Sequence, residues 1–354
     1  MDHRTQYLLN ARPLPLLAKM SAPNSIAFFI QASVSMTEVW FVGQLGSSSL
    51  AAMALVFPLL MLTQTLSAGA MGGAVASAIA RALGAGDRQR AEQLIWHALA
   101  MAVIGALLLF TAFWVFGAHF LRFLGGNNDT LDQALRYCLV LFSGGVFLWF
   151  MGVVSAIYRG MGEMKFPALV MAASALVQVP LSAALVLGAF GAPQLGIVGA
   201  ALSAVITAFL LSGIMILRLI IGSTAIKIRR SHFGFEPQHF REILKVALPA
   251  SLSPILTVTS ILCLTAIVGR FGEEALAGYG IGSRIEFLLI PLVFGIGASM
   301  TSLVGMSVGA GNLKRAERIG WVGGMGSALL AGMIGISLAL FPDFWIPLFS
   351  QDPI

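Results

Sequence analysis

The sequence predicts an all-α, polytopic membrane protein that contains two parallel repeats. Of its 354 residues, 58% are hydrophobic and only 10% are charged, whereas about 25% of the residues of a soluble domain are charged. Apolar runs of about 20 residues recur along the chain, and each is long enough to cross the hydrocarbon core of a bilayer. A segment near the N-terminus returns 226 positions later. These observations exclude a water-soluble enzyme with a solvated surface.

Nine apolar runs separated by polar breaks predict nine membrane-spanning helices. In chain order they lie near 20–42, 50–80, 94–117, 134–158, 167–189, 196–220, 246–269, 275–308 and 319–341. The runs 50–80 and 275–308 are longer than a bilayer requires. We therefore expect these two helices to tilt, to break at their glycines or to project into water.

The placement of Lys and Arg predicts the orientation of the chain. Seventeen of the 21 fall on the same side as the N-terminus, in or near alternate breaks between the spans, and four fall on the other side. Basic loops stay on the cytoplasmic side, so we expect a cytoplasmic N-terminus in a bacterial inner (plasma) membrane. The net charge of +6 then reflects membrane topology, and we expect no nucleic-acid partner.

The repeat predicts two lobes of six helices each. Seven residues of the first copy recur 226 positions later: Lys19, Pro23, Val42, Gly43, Gly46, Leu50 and Ala51. Six spans separate the copies, so both run through the membrane in the same direction and the lobes are related by an axis along its normal. We place the N-terminal lobe at 1–222, a cytoplasmic linker at 223–245 and the first three helices of the C-terminal lobe at 246–354. About nine of twelve helices are thus present, and we expect the chain to be C-terminally incomplete.

One acidic residue, Glu38, lies inside the first span, where a charged side chain costs about 2.5–3.5 kcal/mol at mid-helix. Asn24, Gln31, Ser35 and Glu38 are spaced by seven, four and three residues and therefore share one helical face. We predict that this face lines a polar cavity and that Glu38 couples cation movement to transport. The alternative is a ladder of interhelical hydrogen bonds that ends at Glu38.

Polar residues of the fifth and eighth spans are further candidates to line this cavity. They are Gln178, Ser182, Tyr279 and Glu286. For Glu286, an ion pair with another helix near the outer boundary is an equal alternative.

Four prolines inside the predicted spans are candidate hinges, because each removes a backbone hydrogen bond from its helix. They are Pro23, Pro180, Pro249 and Pro254. Pro23 and Pro249 are repeat mates, which favours a shared structural bend over a substrate contact. The pairs Gly69/Gly73 and Gly320/Gly324 have the spacing that allows close helix packing.

The chain lacks the patterns of an enzyme. Its five histidines and two cysteines do not have the spacing of metal ligands, so we expect no metal site. No GxxxxGK[ST] string that would bind phosphate is present, so ATP hydrolysis by this chain is unsupported. A membrane-embedded enzyme would need a nucleophile, a base or metal ligands grouped at one depth, and the sequence offers none.

Three segments together resemble the MATE (multidrug and toxic compound extrusion) family. They are the stretch Thr-Glu-Val-Trp-Phe-Val-Gly-Gln-Leu-Gly at 37–46, Leu-Ala-Ala at 50–52, and the loop Gly-Ala-Gly-Asp…Arg-Ala-Glu at 84–92, which returns at 309–317. The resemblance extends from about Lys19 to Asp352. It implies a twelve-helix antiporter with no cofactor other than the coupling ion, H⁺ or Na⁺. Glu38 occupies the position where many bacterial relatives carry an Asp implicated in cation coupling.

The resemblance implies a secondary active antiporter that exports cationic or amphiphilic small molecules, such as drugs and toxins, and we expect a monomer in the lipid bilayer. Ser182 stands where relatives often have an acidic residue, which leaves the choice of H⁺ or Na⁺ open. The alternative function is a flippase for lipid-linked oligosaccharides. It would require a cationic cavity to bind pyrophosphate, and the spans of the first lobe contain no clearly mid-membrane Lys or Arg.

Overall fold

The computed structural model describes residues 3–222 and 236–341, together with positions 226 and 234. Side chains at 273–278 and 280–288, and at a few positions from 262 to 269, lie outside this description. The described residues contain no β-strand. Two short 3-10 turns, Ala189–Gly191 and Gly269–Phe271, join helices at the ends of spans.

The first lobe contains nine α-helices and one π-helical segment. They are α1 (His3–Asn10), α2 (Pro13–Gly43), α3 (Ser47–Gln64), the π segment (Thr65–Met71), α4 (Gly72–Gly84), α5 (Arg88–Phe123), α6 (Asn128–Ser143), α7 (Gly145–Gly160), α8 (Lys165–Leu187) and α9 (Ile197–Ile221). The described part of the second lobe adds α10 (Pro237–Val268), α11 (Glu273–Gly309) and α12 (Leu313–Leu340).

The helices confirm the predicted polytopic, all-α fold. Among the described residues eight helices are long and apolar enough to cross a membrane, and α6 with α7 makes a ninth if the pair is one broken span. The predicted run 50–80 stays helical throughout and includes the π segment, so it forms one span from Ser47 to Gly84 without a sharp break. The predicted run 275–308 is also one long helix, α11.

The sharp bend in the described spans lies at Gly144, where α6 and α7 meet at 55°. A Cβ atom on Gly144 would overlap the side chain of Val205 on α9, so the corner packs directly against that helix. The four candidate hinge prolines lie within helices that continue through them: Pro23 in α2, Pro180 in α8, and Pro249 and Pro254 in α10. Their role as hinges stays a prediction.

The linker is shorter than the sequence predicts. Residues 237–245, which we assigned to it, form the first turns of α10. Most of the remaining linker positions lie outside the described residues. These turns pack onto the first lobe. Glu242 forms ion pairs with Arg81 and Arg90, and Ile243 belongs to the main hydrophobic core.

The N-terminus and the turns after α4, α7 and α11 lie at one end of the bundle. We call it the basic end, because most Lys and Arg lie there. The two copies of the repeat cross at this end. A Cβ atom on Gly84 would overlap the carbonyl oxygen of Met306, and one on Gly309 would overlap that of Arg81. Each contact maps onto the other at a spacing of 225, which is the spacing between the repeated loops at 84–92 and 309–317. The ends of α4 and α11 therefore cross symmetrically, with backbone against backbone.

Candidate functional site

A cavity of about 250 Å³ lies inside the first lobe, enclosed by α2, α3, the π segment and α6 to α9. Most of its wall is apolar and includes Phe28, Phe57, Leu148 and Met151. A polar stripe of α2 enters this wall, because Gln31, Ser35 and Glu38 recur at helical spacing. An apolar pocket with a few convergent polar groups is the usual form of a small-molecule site.

Glu38 lies on this wall, with only 8% of its surface exposed. Gln178 on α8 donates from Nε2 to Glu38 Oε1 at 2.9 Å, and Ser203 on α9 donates to the same oxygen at 3.3 Å. In the described part of the structure no hydrogen bond reaches Oε2. Two donors on facing helices therefore hold Oε1 of the carboxyl group.

The hydroxyl of Ser203 has two acceptors within reach. Its Oγ lies 2.8 Å from the carbonyl oxygen of Ala200 and 3.3 Å from Glu38 Oε1. A hydroxyl group carries one proton and can donate to only one of them at a time. When Glu38 is charged, the proton can turn to the carboxylate. When Glu38 is protonated, Ser203 can donate to Ala200 and accept from the carboxyl group instead.

A second contact between α2 and α8 supports this arrangement. Ser174 Oγ lies 3.1 Å from Gln31 Oε1 and 2.5 Å from the carbonyl oxygen of Met171 on its own helix, so its single proton has two acceptors within reach. Ser174 and Gln178 lie one turn apart on one face of α8, and Gln31 and Glu38 lie two turns apart on one face of α2. These two faces are in contact. The cavity and the hydrogen-bond ladder that the sequence offered as alternatives both occur, because the ladder forms one wall of the cavity.

The opposite end of the cavity contains a buried cation, Arg159, which is 3% exposed and lies in the last turn of α7. Its Nη2 donates to the carbonyl oxygen of Ala68 at 3.5 Å. The π segment makes this oxygen accessible. In a regular α-helix the amide of Gly72 would donate to Ala68, but here it donates to the carbonyl oxygens of Ser67 and Gly69.

Glu38 and Arg159 lie toward opposite ends of the cavity. Phe28 and Glu38 both line it and are ten residues apart on α2, which corresponds to about 15 Å along the helix axis. Phe28 is at the level of the π segment, because both contact Phe294 of α11. The ring centroids of Phe28 and Phe294 are 4.8 Å apart, and a Cβ atom on Gly69 of the π segment would lie 3.9 Å from the Phe294 ring. The acidic group is therefore nearer the end of the bundle opposite the basic end, and the basic group is nearer the basic end.

The structure brings four of the predicted site residues together at the cavity: Gln31, Ser35, Glu38 and Gln178. The others differ. Asn24 lies two turns beyond Gln31 toward the basic end, where its Nδ2 contacts Met164 Sδ at 3.2 Å. Ser182 is fully buried one turn past Gln178, and its Oγ has no hydrogen-bond partner among the described residues. Neither residue lines this cavity, and their contribution to transport stays a prediction.

Two predicted site residues, Tyr279 and Glu286, lie on α11. Tyr279 is partly buried on α11 and does not belong to the cavity wall. The side chain of Glu286 lies outside the described residues, so its prediction is untested.

The predicted close-packing glycines Gly73, Gly320 and Gly324 have no heavy atom of the described residues within 4 Å of an added Cβ.

Sequence reasoning missed Ser203, Tyr137 and Arg159, all of which contribute to the site. Ser203 and Thr207 are spaced by four in an otherwise apolar span, and this spacing could have indicated a face toward the cavity. Arg159 is one of the seventeen Lys and Arg residues that the sequence analysis counts on the cytoplasmic side, and the structure places it in the last turn of α7 on the cavity wall.

Comparison with protein families gives a match over most of the chain. Residues 23–184 and 249–354 match the family model MatE. A probable multidrug resistance protein NorM of Thermotoga maritima is 28% identical over 344 residues, which cover 95% of this chain and 72% of that protein. An FAD transporter of Shewanella oneidensis is 26% identical over 351 residues, which cover 98% of this chain and 76% of that protein.

The fold also agrees with a solved structure. The crystal structure of MATE in complex with MaL6 superposes with a TM-score of 0.86 at 25% sequence identity, and the match covers 98% of this chain and 76% of that one. The resemblance that the short motifs indicated is thus found in the family model, over about three quarters of the length of these relatives, and in three-dimensional structure.

Proposed function

Because the chain belongs to the MatE family of multi-pass transporters, we propose that it is a secondary active antiporter, which exports cationic or amphiphilic small molecules in exchange for H⁺ or Na⁺. The observation that carries this proposal is Glu38, a carboxyl group held by Gln178 and Ser203 on the wall of an otherwise mainly apolar cavity. An ionisable group at such a depth is expensive and indicates a role in transport.

The proposed exchange is a competition for Glu38. An apolar environment disfavours a carboxylate that has no positive partner. The group therefore gains from binding either a coupling ion or the positive part of a substrate, but it cannot hold both at full strength. Binding of the coupling ion on one side of the membrane releases the substrate, and loss of that ion on the other side restores the carboxylate for the next substrate.

The available driving force is sufficient for this exchange. A membrane potential of 100 mV supplies about 2.3 kcal/mol for each charge that crosses. A tenfold concentration gradient of substrate requires about 1.4 kcal/mol. One coupling ion per substrate can therefore support accumulation without ATP. Alternating access would come from the two lobes rocking against each other.

The proposal places the protein as a monomer in a bacterial inner membrane with a cytoplasmic N-terminus. The excess of Lys and Arg at the basic end supports this orientation. In it, Glu38 lies near the outer side and Arg159 near the cytoplasmic side.

A lipid-linked oligosaccharide flippase is the second candidate, and Arg159 is the observation that favours it. A pyrophosphate carries several negative charges and would need several cationic donors. The described wall of the cavity contains one arginine and no lysine. Export of small molecules is therefore the better-supported function.

The test is efflux of a cationic dye from proteoliposomes with a pH gradient or a sodium gradient imposed separately. We expect one of the two gradients to drive efflux, and Glu38→Gln to reduce gradient-driven efflux to the level of protein-free vesicles because the amide cannot exchange a cation. Glu38→Asp keeps the carboxyl group and should keep part of the activity. Asp132→Asn, which removes an exposed carboxylate paired with Arg136, is the matched control.

Gradient-driven efflux by Glu38→Gln at the rate of the unmodified protein would remove Glu38 from the mechanism. Efflux that neither gradient stimulates would contradict the antiporter proposal as a whole.

A further inference from the structure

We propose that Arg159 is an anion-binding subsite of the cavity, which selects substrates that carry a carboxylate or phosphate group in addition to their apolar or cationic part. This inference rests on the proposed transport function and specifies its substrate class. The juxtaposition that carries it is a buried guanidinium, without a carboxylate partner among the described side chains, at one end of a cavity whose other end holds Glu38.

Arg159 differs from Arg218 and Arg90, two other arginines at the basic end, in how its charge is balanced. Arg218 donates to Glu163 at 2.7 Å, and Arg90 donates to Glu242 at 2.7 Å. Arg159 is more deeply buried than either, yet among the described residues no carboxylate forms an ion pair with it.

The single hydrogen bond of Arg159 uses little of its capacity. A guanidinium group has five N–H donors, and the described residues offer it one carbonyl acceptor, Ala68, at the long distance of 3.5 Å. An unpaired charge in so buried a position is costly, so a partner that arrives with the substrate would be stabilised strongly. The planar fork of donors matches the two oxygens of a carboxylate or phosphate group.

The wall around Arg159 suits a polar head group. Ser67 and Ser155 belong to the same wall. Gly152 keeps the space beside Ser67 open, because a Cβ atom at this position would lie 3.2 Å from Ser67 Oγ. The hydroxyl groups can add hydrogen bonds to an anion, while Phe28 and Met151 contact its apolar part. The cavity as a whole has one acidic and one basic end, which favours a zwitterionic amphiphile over a simple cation.

A structural role for Arg159 is the competing explanation. Its bond to Ala68 could serve only to stabilise the π segment. A structural role predicts that replacing Arg159 affects every substrate equally, whereas an anion subsite predicts a loss confined to substrates with an acidic group. A matched pair of ligands distinguishes the two.

The pair is rhodamine 110, a fluorescent zwitterion with a free carboxylate, and rhodamine 123, the cationic methyl ester of the same dye. Binding of each to the purified protein is measured by fluorescence anisotropy without any gradient. We expect Arg159→Gln to weaken binding of rhodamine 110 by about tenfold or more, since a hydrogen bond between charged groups is lost. Binding of rhodamine 123 should change by less than about twofold, because the ester offers no charge to the guanidinium.

Two further variants complete the design. Arg159→Lys keeps the positive charge and should retain part of the preference for rhodamine 110, and it decides the question if Arg159→Gln does not fold. Arg136→Gln removes an exposed arginine outside the cavity and should leave both dyes unaffected.

The proposal is overturned if either Arg159 variant weakens both dyes by the same factor, if Arg159→Gln binds rhodamine 110 as the unmodified protein does, or if the unmodified protein binds neither dye. Because binding is measured without a gradient and Glu38 is unchanged, these outcomes are separate from the failure of ion-coupled efflux.

Discussion

Gln178 and Ser182 lie one turn apart on α8, and the structure gives them opposite relations to the cavity. Gln178 donates to Glu38, while Ser182 is sealed in the helix packing without a hydrogen-bond partner among the described residues. A polar group in an apolar span therefore does not by itself identify a site. What matters is whether its depth coincides with that of the cavity and of the groups on facing helices.

This difference gives a prediction at the level of single residues. Gln178→Leu keeps the approximate volume but removes a hydrogen bond to a charged group, at a cost of about 1.5–3 kcal/mol. We expect affinity for a cationic substrate to fall by about tenfold or more, because the charged form of Glu38 loses its shortest donor. Equilibrium binding of rhodamine 123 measures the effect.

Ser182→Ala is the matched control on the same helix. It removes a hydroxyl that has no hydrogen-bond partner in the described structure, so binding should stay unchanged and thermal stability should stay equal or rise slightly. A loss of binding in Ser182→Ala comparable with that in Gln178→Leu would show that the contact with Glu38 is not the source of the effect.

The residues of one helix could be predicted from the sequence better than the site they form. The period of α2 places Gln31, Ser35 and Glu38 on one face, and all three reach the cavity. The same period includes Asn24, because spacing determines the face of a helix but not the depth at which a cavity ends. Ser203 comes from another helix, and its contact with Glu38 depends on tertiary packing that no local pattern contains.

Helix breaks in this fold follow close contacts of glycine more than they follow proline. The bend between α6 and α7 lies at Gly144, where a side chain would overlap Val205. The sequence contains the pair Gly144–Gly145 in the middle of an apolar run, but an isolated run gives no sign of a neighbour that approaches so closely. Pro23 and Pro180 each remove a backbone hydrogen bond from their helix, yet α2 and α8 continue on both sides of them.

The crossing of α4 and α11 gives a prediction at the level of helices. Gly84→Ala and Gly309→Ala each place a Cβ against a carbonyl oxygen of the other helix, so the two helices must move apart. Overpacking of this kind costs about 1–3 kcal/mol. We expect a lower Tm for both variants in a thermal unfolding assay of detergent-solubilised protein, and similar shifts for the two because the contacts are repeat mates.

Gly320→Ala and Gly324→Ala are suitable controls within α12. No heavy atom of the described residues lies within 4 Å of a Cβ added at either position. Alanine also favours helix over glycine by about 0.8–1.0 kcal/mol, so these variants should keep or raise the Tm. Equal Tm values for the Gly84 and Gly320 variants would contradict the close crossing.

At the level of the whole molecule, the lobes meet through contacts that gather toward the basic end. Ser25 Oγ donates to the carbonyl oxygen of Leu292 at 3.2 Å, about half-way along α2. Closer to the basic end, Arg315 Nη2 donates to the carbonyl oxygens of Leu8 and Ala11 at 2.9 and 2.7 Å. These contacts, with the glycine crossing, hold the described lobes together on that side. Alternating access would require this side to open.

The ion pairs of Glu242 are the part of this closure that can be changed without disturbing the core. Glu242 on α10 accepts from Arg81 at 3.2 Å through Oε1 and from Arg90 at 2.7 Å through Oε2, so one carboxylate links the second lobe to two helices of the first. The groups are partly exposed, and such pairs contribute about 1 kcal/mol or less. A change of 1 kcal/mol alters the ratio of two conformations by about fivefold.

A charge reversal at this position should therefore shift the molecule toward opening at the basic end. We expect Glu242→Arg to increase labelling of a Ser35→Cys reporter by a membrane-impermeant maleimide added from the basic side, since Ser35 lines the cavity. The experiment uses a Cys263→Ser background, because Cys263 is exposed whereas Cys138 is buried.

Adding Arg90→Glu restores the pairing of opposite charges and should return labelling part of the way to its original level. Labelling that is the same in the single and double variants would mean that these ion pairs do not hold the lobes, and closure would then rest on the glycine crossing and the contacts of Arg315.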